Sequence, residues 1–194
     1  MAQDIALRNQ TPLKRFILQQ GSELLTDCAG LARVGLALNR FAQVRQTLER
    51  LLPKRSSLSV GELVIAYVGL LGLGKSDFDA LENHRQDAFF AEALGLSGVP
   101  AASTLRMQLH AQADALKPHV DDLSVSLLQR APAPITPLAG GLVPLDIDVF
   151  TLDNRRTRKD GVSRTYAGTD GFAPIAGYLG QEGWCLSLEW RDGC

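Results

Sequence analysis

A proline- and glycine-rich segment, residues 131–141, most constrains what this chain can fold into. Its sequence, APAPITPLAGG, contains three prolines and two glycines. Proline lacks a backbone N–H and fixes φ, so neither a helix nor a central strand can continue through this segment. Apolar residues recur at helical spacing before it and alternate along the chain directly after it. We therefore predict an α+β chain, with a helical region at 1–130, a linker at 131–141 and a β-rich region at 142–194.

The helical region is predicted to contain several helices with identifiable ends. Apolar residues three or four positions apart run from Leu31 to Leu51 and predict one amphipathic helix that stops before Pro53. Ser59 and Glu62 have the spacing of a capping box, and the apolar residues after them predict a helix at the centre of a bundle. Other helices are predicted at residues 76–84, 89–94, 103–116 and 118–130.

The predicted helix at 103–116 has two interpretations. Ser103 is its predicted N-cap, and a turn separates it from the preceding helix. In a helix-turn-helix, its polar side chains would meet DNA, namely Arg106, Gln108, His110 and Gln112. An ordinary bundle helix explains the same residues, and we favour it because helix-turn-helix docking requires a geometry that a sequence does not show.

Residues 142–150, LVPLDIDVF, predict a β-strand with two different faces. One face is apolar and is predicted to be buried; it consists of Val143, Leu145, Ile147 and Val149. Asp146 and Asp148 lie side by side on the other face. Desolvated carboxylates need a compensating cation or hydrogen-bond donors, and Mg²⁺ or Mn²⁺ suits such oxygen ligands. A strand end whose aspartates face solvent is at least as good an interpretation of the spacing alone.

A basic cluster follows this strand. Residues 153–164 contain two acidic side chains, Asp153 and Asp160, and five basic ones, Arg155, Arg156, Arg158, Lys159 and Arg164. Asp160 and Gly161 form a turn signal, so residues 153–161 are predicted to be a polar hairpin connection. Such a cluster can neutralise DNA phosphates without recognising sequence, although a solvated hairpin has the same composition. Three later aromatic residues are predicted to pack in the core or on the sheet: Tyr166, Phe172 and Tyr178.

The order of these motifs resembles the opening of the catalytic domain of DDE transposases from bacterial insertion sequences. The matching elements are Asp146-x-Asp148, Asp153-Asn154, the basic turn, Gly161-Val162-Ser163-x-Thr165-Tyr166, Gly168-x-Asp170-Gly171-Phe172-x-Pro174, and Tyr178-Leu179-Gly180. A weaker similarity upstream involves Asp77, Leu81, Arg85, Asp87, Pro100, Ser103, Thr104 and Leu105. The strong part of the resemblance covers about a quarter of the chain.

The resemblance implies an RNase H-like catalytic domain, of which residues 142–194 would form the first three antiparallel strands. It implies that Asp148 is the metal ligand of the first strand, and that Asp146 either supports it or is itself the ligand. In this family, the first aspartate joins a later aspartate and a glutamate to hold two Mg²⁺ ions. The enzyme uses these ions to cut and join DNA at transposon ends. Phe150 departs from the family, because a small hydroxyl residue usually follows at this position.

The resemblance also implies DNA as the partner, together with a homo-oligomer or a full-length transposase. The later metal-binding acids have no counterpart after Asp148, so the sequence predicts a truncated transposase that is inactive alone. The third strand, residues 184–191, contains Glu189, which is expected to be structural or to face DNA. A non-catalytic DNA-binding regulator derived from a transposase is the first alternative. A phosphatase of the haloacid dehalogenase type, whose motif is also Asp-x-Asp, is a weaker one.

The whole chain adds few further constraints. Its net charge is −1, so contacts with nucleic acid must come from local patches. Cys28, Cys185 and Cys194 share no ligand spacing, which argues against a zinc site or a disulfide framework and suits a reducing cytoplasm. We find no secretion signal and no apolar run long enough to span a bilayer. The expected location is the bacterial cytoplasm, at the nucleoid.

Overall fold

The computed structural model describes residues 21, 26–54 and 57–193, and shows an α+β chain. The α-helices are α1 (Leu31–Leu36), α2 (Val44–Leu51), α3 (Val60–Gly72), α4 (Ala88–Leu94) and α5 (Ala102–Arg130). A π-helix (Ala37–Phe41) follows α1, and a 3₁₀-helix (Phe78–His84) precedes α4. The strands are β1 (Leu145–Val149), β2 (Leu152–Asp153), β3 (Ser163–Arg164), β4 (Asp170–Phe172), β5 (Ile175–Leu179) and β6 (Trp184–Glu189).

Helix α3 lies at the centre of the helical region, as its composition predicts. The capping box is confirmed: the Ser59 hydroxyl accepts from the Glu62 N–H, and the Glu62 carboxylate accepts from the Ser59 N–H. Most of the helix is buried, because apolar residues surround it on nearly all sides. Its Leu63, Ile65 and Leu70 form the core together with residues of the other helices, mainly Leu31, Leu48, Leu81, Phe90, Leu94 and Leu105.

The single helix predicted over residues 31–51 is wrong, because the chain breaks between α1 and α2. Gln43 adopts a left-handed conformation with φ of 52°. Each half packs on a different helix at a glycine: a Cβ on Gly35 would lie 1.9 Å from the Ala93 carbonyl oxygen, and one on Gly61 would lie 2.7 Å from the Arg45 Cα. A straight helix could not make both close approaches, so tertiary packing overrides the periodicity.

The two helices predicted at 103–116 and 118–130 are also wrong, because α5 is continuous and contains Pro118. Because proline has no N–H, the Asp114 carbonyl lacks the helical hydrogen bond that residue 118 would otherwise donate. Pro118 and Asp114 are both exposed, so water can donate to that carbonyl instead. The predicted cap at Ser103 is not used: the N-cap is Ala101, and the Glu82 carboxylate accepts from the Ala102 N–H at 2.7 Å. No helix in the described part of the chain is both long and apolar enough to cross a membrane.

The β-rich region forms two antiparallel sheets, with strand orders β1-β5-β6 and β2-β4-β3. Strands β1, β5 and β6 form the first sheet, and β1 and β6 lie where the sequence predicts the first and third strands. Burial of the apolar face of β1, however, is wrong: Leu145 is 59% exposed and Ile147 is 63% exposed. Strand β1 lies at the edge of its sheet, and nothing in the described ranges covers this face.

Residues 131–141 contain neither helix nor strand, but they are tied to the turn between β5 and β6. Trp184 Nε1 donates to the Pro134 carbonyl at 2.7 Å, and Gln181 Nε2 donates to the Thr136 and Pro137 carbonyls. The Thr136 hydroxyl and N–H donate to Glu182, and these bonds lower the pKa of Glu182. The segment is therefore fixed to the β5–β6 end of the first sheet.

Candidate nucleic-acid interface and carboxylate pair

The two aspartates of the candidate site lie on one face of β1. Asp146 is opposite Tyr178 of β5, and Asp148 is opposite Ala176, so the period-two prediction of a shared face is confirmed. Both aspartates are exposed, and neither carboxylate receives a hydrogen bond or an ion pair from the described residues. The structure thus has the solvent-exposed carboxylates that the sequence allowed as an alternative to a metal site.

The described residues do not by themselves fit a metal centre at this pair. No group of three or more His, Cys, Asp or Glu side chains in residues 26–54 and 57–193 is placed to hold a metal ion. A two-metal site needs several convergent carboxylates, because each ion takes several oxygen ligands. Asp146 and Asp148 therefore supply only part of such a site.

The basic cluster belongs to a loop whose topology differs from the prediction. Strands β2 and β3 flank this loop, but they are not neighbours, since β4 lies between them. The predicted hairpin connection is therefore wrong. Residues 154–162, the basic loop, join the two outer strands of the second sheet. The turn at Asp160 and Gly161 is present, with Gly161 at φ of 81°.

The five basic side chains of this region are all exposed, but they are not equally available. Arg155 donates to both carboxylate oxygens of Asp153, which lowers the pKa of Asp153 to about 2 and raises the pKa of Arg155. Arg164 pairs with Asp170 at 3.4 Å. Within the described residues, no carboxylate pairs with the remaining three, Arg156, Arg158 and Lys159. These three cations are the most available for an anionic partner.

An open cleft of about 420 Å³ lies where β1 ends. The residues that line it include Val149, Arg164, Tyr166, Arg191 and Asp192. The prediction that Tyr166 packs in the core is wrong, because it is 71% exposed and its hydroxyl donates to the Val149 carbonyl at 2.9 Å. The cleft places Arg164 beside the end of β1, but neither Asp146 nor Asp148 lines it.

The other two predicted aromatic residues do contribute to packing. Phe172 is 5% exposed and lies against Trp190, with a distance of 4.7 Å between ring centroids. Tyr178 is half-buried on β5. Glu189, expected to be structural or to face DNA, is exposed and lies 3.8 Å from the guanidinium of Arg191. Arg191 and Asp192 are site residues that sequence reasoning missed, since only the folded sheet brings them to the cleft.

The predicted DNA-facing residues of α5 are largely occupied by intramolecular contacts. Arg106 pairs with Asp79 at 3.1 Å, and its guanidinium lies 5.5 Å from the centre of the Phe78 ring. Gln112 is only 4% exposed, so it is not available to DNA. Gln108 is half-buried, and Gln112 Nε2 donates to its side chain. Gln108 and Gln112 therefore face the helical bundle, whereas His110 is exposed.

No protein-family model, curated protein or solved structure matches the chain significantly. Three unpaired cations occupy a loop held at both ends by β4, and two unpaired carboxylates occupy an exposed strand. The first set suits phosphate groups, and the second suits cationic groups.

Proposed function

We propose that this chain is a DNA-binding protein related to the DDE transposases of bacterial insertion sequences. The basic loop contacts the DNA backbone. The main support for this contact is that Arg156, Arg158 and Lys159 are exposed and form no ion pair with a carboxylate of the described residues. Because phosphates are present in every DNA sequence, this contact contributes affinity without sequence recognition.

The position of the loop supports this role. Its two ends are fixed by pairing with β4, at Leu152–Phe172 on one side and at Arg164–Asp170 on the other. Cations on an anchored loop lose less conformational freedom when they bind than cations on a free tail. Arg164 and Arg191 continue the positive surface into the neighbouring cleft, where each keeps an acidic neighbour.

Asp146 and Asp148 would need further ligands before they could hold a catalytic metal ion. Mg²⁺ or Mn²⁺ would use Asp148 and Asp146 only together with carboxylates that the described residues do not place there. Asp148 remains the proposed first ligand and Asp146 its proposed supporting partner. In this proposal the chain alone binds DNA but does not cut or join it. The proposed partners are transposon ends and a second copy or a full-length transposase, at the nucleoid of the bacterial cytoplasm.

The test is DNA binding measured by fluorescence anisotropy over a range of salt concentrations. The variant Arg156→Ala/Arg158→Ala/Lys159→Ala removes the three unpaired cations. We expect weaker binding to every duplex, and a salt slope reduced by roughly 0.9 for each phosphate that the variant no longer neutralises. The matched control is Arg33→Ala/Lys75→Ala/Lys117→Ala, which removes the same charge from exposed positions elsewhere. The control should retain the slope of the parent protein.

Equally weakened binding in the loop variant and the control would show that only net charge matters, which contradicts the proposal. Failure of the parent protein to bind any duplex at low salt would contradict it too.

A non-catalytic regulator is the second candidate, and the absence of a third acidic ligand beside Asp146 and Asp148 in the described ranges favours it. The discriminating assay adds Mg²⁺, a duplex and a full-length transposase, and measures strand cleavage. If the chain contributes Asp148 to catalysis, Asp148→Asn in the chain should change this cleavage, whereas a regulator acts equally with either residue. Cleavage by the chain alone would contradict both candidates. Hydrolysis of small phosphate esters without DNA would instead identify a phosphatase.

A further inference from the structure

Strand β1 has one open edge whose backbone groups can be identified from its pairing. It pairs with β5 only, since the strand order is β1-β5-β6. The Gly180 N–H donates to the Pro144 carbonyl, and the Phe150 N–H donates to the Pro174 carbonyl. In an antiparallel ladder every second residue bonds the neighbouring strand, so Asp146 and Asp148 direct their backbone groups towards β5. Leu145, Ile147 and Val149 therefore direct theirs away from the sheet.

These outward backbone groups are mostly unpaired. The Tyr166 hydroxyl donates to the Val149 carbonyl at 2.9 Å, which agrees with the outward direction of that group. Within the described residues, no hydrogen bond reaches the outward N–H and C=O groups of Leu145 and Ile147. Exposed rows of this kind are templates for the addition of another strand.

The side chains of β1 define what kind of strand would fit. Leu145 and Ile147 expose apolar side chains on one face of the edge, at 59% and 63%. Asp146 and Asp148 expose carboxylates on the other face. Because directly opposite residues of paired strands share a face, a complementary strand alternates apolar and basic residues.

Two other occupants fit less well. When a second copy pairs with β1 in the antiparallel register centred on Ile147, Asp146 of each copy lies opposite Asp148 of the other. Like charges directly opposite each other are destabilising. DNA is disfavoured as well, because its phosphates would approach the same two carboxylates.

We propose that the open edge of β1 binds an extended segment of another protein in which basic and apolar residues alternate. The segment adds as a fourth strand to the first sheet. Its basic side chains face Asp146 and Asp148, and its apolar side chains cover Leu145 and Ile147. This interaction goes beyond the proposed function and requires neither DNA binding nor a metal ion.

The test uses fluorescently labelled peptides and the full chain. The probe is a short peptide in which lysine and valine alternate, and a peptide in which glutamate and valine alternate is its control. We expect saturable binding of the lysine peptide only. Asp146→Asn/Asp148→Asn should weaken it by on the order of tenfold, which corresponds to about 1.4 kcal/mol. Leu145→Thr/Ile147→Thr, which preserves strand propensity, should weaken it as well.

Matched controls separate the edge from net charge. Asp114→Asn/Asp122→Asn changes two exposed aspartates of α5 and should leave the affinity unchanged. Two further lysine peptides carry N-methyl groups on alternate backbone amides, one in each phase. Strand addition uses only alternate amides, so one methylated peptide should bind and the other should not.

Several results would overturn the proposal. One is that the β1 and α5 aspartate variants weaken peptide binding equally. Another is that the two methylated peptides bind equally. A third is that duplex DNA binds β1 and displaces the peptide from it. Self-association in sedimentation velocity that Leu145→Thr/Ile147→Thr abolishes would show that a second copy occupies the edge instead.

Discussion

At the scale of single residues, Glu62 links three parts of the helical region. Its carboxylate accepts from the Ser59 N–H at 2.9 Å, from the Ser97 N–H at 3.0 Å and from the Ser97 hydroxyl at 2.6 Å. Arg45 lies 3.7 Å away. Burial raises the pKa of Glu62, but the bonds from Ser97 and Ser59 and the charge of Arg45 outweigh it and hold the pKa at about 2.

This pKa predicts how stability depends on pH. The folded pKa lies below the ordinary value of 4.5, so the unfolded chain binds a proton more readily than the folded protein. The contribution of Glu62 is fully present above pH 4.5 and is lost as the pH falls towards about 2. Urea unfolding at several pH values measures it. Glu62→Gln should show a smaller loss of unfolding free energy across this interval than the parent protein, and an equal loss would contradict the assignment.

Glu62→Gln should also lower stability at neutral pH. The amide group places donors against the donors of Ser59 and Ser97, and leaving such buried groups unsatisfied costs about 1–3 kcal/mol. Glu49→Gln is the matched control, because Glu49 is exposed on α2. If both variants unfold at the same urea concentration, Glu62 does not link these parts of the helical region.

At the scale of secondary-structure elements, α5 contains an internal proline whose replacement should stabilise the protein. Proline in a helix interior is about 3 kcal/mol less favourable than alanine. The unfolded chain of the alanine variant is more flexible, which offsets about 0.4–1 kcal/mol of the stability gained by the substitution. Pro118→Ala should therefore raise the free energy of unfolding by about 2 kcal/mol. Lys117→Ala, at the adjacent exposed position, should change it by less than about 0.5 kcal/mol. A decrease for Pro118→Ala would mean that α5 depends on a bend at this residue.

The same elements show what the sequence could predict about the fold. Local signals were sufficient for the cap of α3 at Ser59 and for the change of class at 131–141. They failed where distant contacts decide. The left-handed Gln43 has no local signal, because the break serves the packing of two helices on two different partners. In α5, the exposure of Pro118 and the hydrogen bond from the Ala102 N–H to Glu82 depend on tertiary structure, so the local sequence does not predict them.

The candidate site shows the same division. The sequence alone predicts that Asp146 and Asp148 share one face of a strand, and it predicts the cluster of cations in the basic loop. It could not predict the β2-β4-β3 order, because that order depends on which strands meet. It also could not show that Leu145 and Ile147 are exposed, since an alternating strand predicts which residues share a face and not what covers it.

At the scale of the whole molecule, the two regions bury very different amounts of apolar surface. Nearly all buried apolar residues belong to the helical cluster around α3, whereas Phe172, Ala173, Pro174 and Ala176 are the main buried apolar side chains of the described β-rich region. The regions are joined by a hydrogen bond from the Ser187 hydroxyl to Asp121 of α5 at 2.7 Å and by the tied segment 131–141. Because stability follows buried area, the sheets should open at a lower free energy than the helices.

Amide hydrogen exchange measures this difference residue by residue. The amides of residues 63–68 in α3 should exchange most slowly, since they open only with the buried core. Strand β1 should be less protected and should alternate: the amides of Asp146 and Asp148 are bonded to β5, while those of Leu145 and Ile147 face the open edge. Low urea concentrations should accelerate exchange in β1 before they affect α3. Uniform protection along β1, as strong as in α3, would mean that its outer edge is already paired, and both the open edge and the unequal stability of the two regions would then be wrong.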